Sequence, residues 1–242
     1  MKTKLIMESW RRFLKEQTEE QGMKRIFVLV GPPSVGKSTW IRKTFGDVKP
    51  YIINRDDIVS KVAKEAGFTY DDLFELPDQE NDKIGDVHDV YGKVIKSPHK
   101  YAKVVYDKIQ NLNNQVRSLF QQRVEGAVPS GKDIVVDMTN MYVGSRKGAL
   151  SAIEKAQEGE YKKIAVVFSF EGAEDTIRRM AALRAKRAKE AGESKTIPDH
   201  VMTKMMKQFQ KVEPSEGFDE IISVDNREEL EKELQRITAE EP

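Results

Sequence analysis

The 242-residue sequence has no cysteine and only three histidines, which are scattered. Without cysteine there is no disulfide framework, no thiol catalysis and no cysteine-ligated zinc, and the composition suits a reducing compartment. No apolar run approaches the length needed to cross a bilayer, and the N-terminus lacks the continuous apolar core of a secretory signal. An excess of one charge is missing too. The 41 basic and 40 acidic residues nearly cancel, so overall charge marks neither a nucleic-acid binder nor a membrane-surface protein. Electrostatic arguments must therefore be local. Repeats and low-complexity linkers are also absent. The expectation from these absences is a soluble cytoplasmic protein with no membrane partner, long enough for one large α/β domain.

What is present is concentrated in Gly31-Pro32-Pro33-Ser34-Val35-Gly36-Lys37-Ser38-Thr39, directly after the apolar run Ile26-Phe27-Val28-Leu29-Val30. The stretch fits G-x-x-x-x-G-K-[ST] at every position, between an expected buried strand and an expected helix. It predicts a phosphate-binding loop. Gly31 and Gly36 are expected to take backbone angles that side chains forbid, so that N–H groups, those of Ser34 and Thr39 included, converge on the phosphates of ATP. Lys37 reaches the β- and γ-phosphates. Ser38 offers its hydroxyl to Mg2+, and the helix beginning near Lys37 presents its positive end to the same anion.

Along the chain, residues 1–22 predict an N-terminal helical extension with Ile6, Trp10, Phe13 and Leu14 near one face. Its Ile6-Met7-Glu8 also resembles the end of the short sorting peptides on capsid-internal proteins of large tailed phages. Residues 23–242 predict a single domain. Helix 37–45 stops at Gly46, strand 50–53 delivers Asn54-Arg55-Asp56-Asp57 to its C-terminal end, and a helix follows as far as Ala66. Residues 67–98 predict an insertion or mobile loop, with eight acids and one lysine between Asp71 and Val90. A long amphipathic helix follows from about Tyr101 to Val124, with Val105, Ile109, Leu112, Val116, Leu119 and Phe120 as core. Strand 133–137 ends in Asp137-Met138-Thr139-Asn140, and helix 145–157 and strand 164–170 come next. Residues 172–211 hold ten basic and five acidic residues, with 184–196 expected as a lid. Strand 221–224 precedes a C-terminal helix with Asn226 and Glu229 as a capping box. Strands alternating with helices predict a doubly wound parallel α/β sheet with helices on both faces.

Phosphoryl transfer needs a group to orient the attacking hydroxyl and donors to neutralise the transferred oxygens. Asp56 or Asp57 can take the hydroxyl proton, and either can instead only cap its helix. Lid arginines can supply the charge. Four stretches together, Gly31 to Trp40, Tyr51 to Asp57, Asp137 to Asn140, and Lys195-Thr196-Ile197-Pro198, resemble the kinase domain of phage-type polynucleotide 5′-kinases over most of residues 24–212. That resemblance implies Asp56 as general base with Asp57 in support at the acceptor, and Asp137 with Asn140 at the acceptor site. It also implies Arg187 as the lid arginine on the transferred phosphate, with Arg184 a near-equal candidate at the nucleotide. A phage-encoded member would work in the host cytoplasm.

Two departures stand out. Val59 occupies the position where the family has an arginine on the acceptor's phosphate, and the lid matches the family only loosely before Lys195, which keeps Arg184 beside Arg187 as a candidate. With no second catalytic domain expected after the last strand, an end-healing role would be that of a kinase alone. The implied acceptor is a nucleic-acid 5′ end, favoured by the basic run Arg178 to Lys189. The alternatives are a small-molecule or sugar-nucleotide acceptor, as in kinases resembling zeta toxins, or a nucleotide-binding module without chemistry.

Overall fold

Ile26 to Val30 are all completely buried, and they form the interior of β1 (Lys24–Val30). The computed structural model describes residues 24–68, 70–71, 84–88, 94–97, 100–155, 161–190 and 196–239. The expected N-terminal extension with Ile6-Met7-Glu8, most of the acidic stretch, and Gly192-Glu193-Ser194 lie outside the described residues. The chain folds as two compact units: Met1–Ile53 with Arg123–Ala182 and Ile197–Pro242, and Asn54–Gln122 with Leu183–Thr196.

The first unit is built on a five-stranded sheet. After β1 come α1 (Lys37–Phe45), β2 (Tyr51–Ile53), and, beyond the second unit's residues, β5 (Ile134–Val136), α4 (Val143–Lys155) and β6 (Tyr161–Phe168). The start of α5 (Glu174–Glu190) follows, then α6 (Asp199–Lys207), β7 (Glu220–Val224) and α7 (Arg227–Ala239). All strand pairings are parallel, in the order β2-β5-β1-β6-β7. β1 is central, with Ile26 aligned to Ile134 on one side and to Lys163 on the other. Phe27 and Leu29 join Val135, Ile164, Val166 and Phe168 in one core, packed under Trp40, Ile41, Met202 and Met206. Ile26, Val28 and Val30 alternate to the opposite face and are equally buried, so both faces are covered, as a parallel sheet requires. Edge-on ring contacts of Phe27 with Phe45 and of Trp40 with Phe168 lock α1 onto the sheet. The α/β fold expected from the sequence is the fold observed.

The second unit holds α2 (Arg55–Glu65), a hairpin of β3 (Ile84–His88) and β4 (Val94–Ser97), most of α3 (Lys100–Glu125) and the last turns of α5. Ile58, Val59, Val62, Ala63, Tyr70 and Val116 make its core, with Leu112, Leu119 and Phe120 against it. Two details go beyond the sequence expectations. The expected insertion at residues 67–98 contains an antiparallel strand pair, with Gly85 inside β3. Its β-branched Ile84, Val87, Val94 and Ile95 suit strands, a signal masked by the surrounding acids. The 184–196 stretch opens as the continuous end of α5, since nothing between Glu174 and Glu190 interrupts helical geometry.

Candidate active site

The chain leaves β1 at the point where strand order reverses, with β5 on one side and β6 on the other. Crevices at such switch points, beyond the strands' carboxyl ends, are where open α/β sheets bind ligands. Residues 31–36 turn there into α1. Ser34 (φ 63°) and Gly36 (φ 99°) are both left-handed, a geometry that points successive N–H groups into one concavity. Gly36 is the N-cap of α1, no side chain caps the helix, and its first turn has no acid. The positive helix end is thereby kept for an anion. Gly31 departs from expectation because its φ is not positive. It is needed for room: a Cβ would stand 2.9 Å from Val35 Cγ1 and 3.1 Å from Phe168 Cβ. Lys37 Nζ donates to the carbonyls of Gly31 (2.9 Å) and Pro32 (2.8 Å), which holds its ammonium at the loop, while Ser38 is exposed and Thr39 partly so.

The loop is held from two sides. Gly31 N–H donates to Thr139 O at 2.9 Å, and Asn226 Nδ2 donates to Val35 O at 2.7 Å. The capping box expected of Asn226 and Glu229 is not formed. Asn226 spends its amide on the phosphate loop and leaves its Oδ1 buried without a partner, and Glu229 pairs with Lys43 of α1.

Asp137 follows β5 directly, partly exposed, with its N–H on Ile53 O at 2.9 Å. Asn140, expected at the acceptor, is 1% exposed and left-handed (φ 48°), and its Nδ2 donates to Leu29 O at 2.8 Å. Burial makes it a brace between two strand ends and argues against acceptor contact. Behind it lies Arg146, which is wholly buried. Arg146 donates to Asn140 O (3.0 Å), to Lys211 O (3.2 Å) and, through Nε and Nη2, to both oxygens of Glu216 at 2.7 Å. Burial pushes the Glu216 carboxyl up. The hydrogen bond from Arg146, the Glu213 N–H and the charges of Arg146 and Lys147 outweigh it and hold that carboxyl below the usual glutamate range.

In the second unit, Asn54 settles which residue caps α2. Its side-chain oxygen accepts from the N–H groups of Asp56 (2.8 Å) and Asp57 (3.4 Å), so neither aspartate is the cap. Asp56 is partly buried, with Oδ1 accepting from Tyr70 Oη at 3.2 Å, and Asp57 is exposed. Val59 is 2% exposed and packs in the apolar core, where an arginine head group would have no water. Arg184, Lys186, Arg187 and Lys189 are exposed on α5. In the first unit, Arg178 pairs with Asp175 and donates to Thr203 Oγ1 at 3.2 Å, which ties it to α6. A cavity of about 550 Å³ lined by Thr176, Arg179, Glu231, Leu234 and Gln235 contains none of the expected site residues.

Among the described residues no three His, Cys, Asp or Glu could hold a metal by themselves, and no helix is long and apolar enough to cross a membrane. The sequence reading did not single out Tyr70, Arg146 or Glu216, and it assigned Asn226 another task. Only Asn54 carried a usable signal, since Asn before an acidic first turn is a favoured cap.

A family model described as an AAA domain matches residues 26–212. None of the curated proteins compared with the chain matches it. Among solved structures, a kinase candidate from Chloroflexus aurantiacus J-10-fl is similar at 9% identity and a TM-score of 0.49, covering 90% of this chain and 95% of that one. The PezAT chromosomal toxin–antitoxin system of Streptococcus pneumoniae is similar at 14% identity and a TM-score of 0.47, covering 93% and 77%. Neither similarity is strong enough to bear on function, and the fold stands on the strand order and loop described above.

Proposed function

From a chain that belongs to the AAA_33 family of AAA domains, a P-loop kinase family, we propose an ATP-dependent phosphotransferase acting on a hydroxyl acceptor, in the first place the 5′-hydroxyl end of a nucleic acid. The observation that carries the nucleotide half is the left-handed pair Ser34 and Gly36 opening an uncapped, acid-free helix start at the switch point of the sheet. In the proposed step the acceptor oxygen attacks the γ-phosphorus and the bond from that phosphorus to the β–γ bridging oxygen breaks. ADP leaves with that oxygen, and the hydroxyl proton passes to the Asp56 carboxylate. Lys37 and the loop N–H groups stabilise charge on the phosphate oxygens. Arg187, with Arg184 beside it on α5, is assigned to the transferred group, and Asp57 and Asp137 to the acceptor. Asn140 braces the Asp137 segment.

The exposed Ser38 hydroxyl fits Mg2+ of the kind this family uses, because that ion keeps waters and phosphate oxygens as most of its ligands and does not need a carboxylate cage. When bound, the ion neutralises β- and γ-phosphate charge.

Val59 supports a second reading, a small-molecule or sugar-nucleotide acceptor, because the side chain at that position belongs to the core and offers no phosphate contact. Transfer from γ-labelled ATP to a 5′-hydroxyl oligonucleotide, a 3′-nucleotide and UDP-N-acetylglucosamine separates the two. Label on the oligonucleotide, weakening steeply with salt as counterion release requires, is the expected result. Label on the sugar nucleotide alone overturns the nucleic-acid acceptor and keeps the kinase. ATP binding without transfer to any hydroxyl leaves a nucleotide-binding module.

A further inference from the structure

After α2 the chain bends back within the second unit and buries Tyr70, which is 8% exposed, against Ile58, Val59, Val62, Ala63 and Val116. A tyrosine buried this deeply gains from its ring and needs a partner for its hydroxyl. The partner is Asp56 Oδ1, at 3.2 Å. The next residue makes a second long-range bond: Asp71 Oδ1 accepts the N–H of Thr196 at 2.7 Å, across 125 positions of sequence. One dipeptide therefore grips the carboxylate at the start of α2 with its first side chain and the backbone at residue 196 with its second. Thr196 belongs to the Lys195-Thr196-Ile197-Pro198 motif.

The geometry points to Tyr70 as a positioning residue for Asp56, and to Tyr70-Asp71 as the link through which the seating of the chain at Thr196 sets the aim of that carboxylate. This rests on Asp56 being the proton acceptor proposed above. A carboxylate turns easily about its terminal torsion, so holding one oxygen decides where the other points. Asn54 fixes the backbone of Asp56, and Tyr70 fixes the side chain. Together they supply the orienting third group that a base needs if it is to meet a hydroxyl in a near-attack geometry. Tyr70 keeps its own proton throughout. The acceptor's proton goes to Asp56.

The test uses the full chain, γ-labelled ATP and a 5′-hydroxyl oligonucleotide, or UDP-N-acetylglucosamine if that is the acceptor the panel returns. Tyr70→Phe keeps the ring in the core and removes only the hydroxyl. It is expected to lower kcat by about 10- to 100-fold with KM for ATP unchanged. Asp71→Ala is expected to lower kcat several-fold. Asp71→Asn, which retains an oxygen for the Thr196 N–H, is expected to recover most of that loss. If the two side chains act as one link, the double variant Tyr70→Phe/Asp71→Ala is little worse than Tyr70→Phe alone, and losses that multiply overturn the link. Wild-type kcat in Tyr70→Phe, or a lowered melting temperature as its sole effect, overturns the positioning role. Should Tyr70→Phe fail to fold, the Asp71→Ala and Asp71→Asn pair decides, because neither touches the apolar cluster, and equal activity in both overturns the link. Asp56→Asn run alongside separates the levels. If it is as active as wild type, the base assignment itself has failed. If it is inactive while Tyr70→Phe is normal, only the positioning inference has failed.

Discussion

α1 follows β1 through residues 31–36 and α2 follows β2, and the first turns of these two helices are opposite in character. α1 opens on left-handed Gly36 with no side-chain cap and no acid in its first turn. α2 opens on Asn54, whose side chain takes two of the orphan N–H groups, and carries Asp56 and Asp57 in that turn. A helix start is electropositive in either case. At α1 neither a side-chain cap nor a first-turn acid uses that field, which leaves the helix end suited to the phosphate proposed for it. At α2 the cap and the acids use it internally, which fixes a carboxylate in place. What a helix N-terminus does is thus decided by three or four residues, and glycine against asparagine at the cap is the difference between receiving an anion and displaying one.

The largest expected effect comes from removing the displayed charge. Asp56→Asn should retain fold and ATP binding and lose transfer by about 10²- to 10⁴-fold, with Asp57→Asn far milder, measured as single-turnover label transfer. An inactive Asp57→Asn beside a normal Asp56→Asn would exchange their roles. On the receiving side, Lys37→Ala should cost about 10²- to 10³-fold in kcat, since a donor to developing phosphate charge is gone, and full transfer by a folded Lys37→Ala protein breaks the contrast.

Next is the brace behind the first unit's loops. Glu216→Gln leaves the Arg146 charge buried without its carboxylate and should cost about 3–5 kcal/mol in denaturant unfolding. Because the folded Glu216 carboxyl sits below its unfolded value, its contribution is present above about pH 4.3 and disappears as pH falls through the folded value. Wild type should therefore lose stability on acidification across that window, with a flatter profile in the variant. The smallest effect is Asn54→Ala, at about 1 kcal/mol of stability from the lost cap, together with a loss of turnover that tests whether the cap also steadies Asp56.

Much of this was legible beforehand, for physical reasons. Buried parallel strands must be continuously apolar, so Ile26–Val30 and Ile164–Phe168 announce themselves, and Gly36-Lys37-Ser38 marks a turn with few alternatives. Asp56 and Asp137 could be placed at strand ends because the strands could be placed. What stayed hidden depends on partners distant in sequence. Arg146 looks like any helix-surface arginine until Glu216 and the Asn140 carbonyl meet it. Tyr70 directly precedes an acidic stretch whose composition says only that it is solvated, and Asn226 fits a capping box so well that its bond to Val35 O could not be foreseen. Local rules give the options of a side chain, and the fold selects among them.

The central place of β1 carries a consequence for synthesis. Ile26 pairs with Ile134 and Lys163, residues that leave the ribosome 108 and 137 positions later. At about 5–20 residues per second, this buried apolar run waits roughly 5–20 s for its first neighbour. During that interval Ile26-Phe27-Val28-Leu29-Val30 is a β-prone segment with no charge, no proline and no partner, the composition that seeds aggregation. The nascent chain is therefore most exposed to misassembly while the residues of the second unit are being made, and a holdase that shelters apolar strands would act in that window.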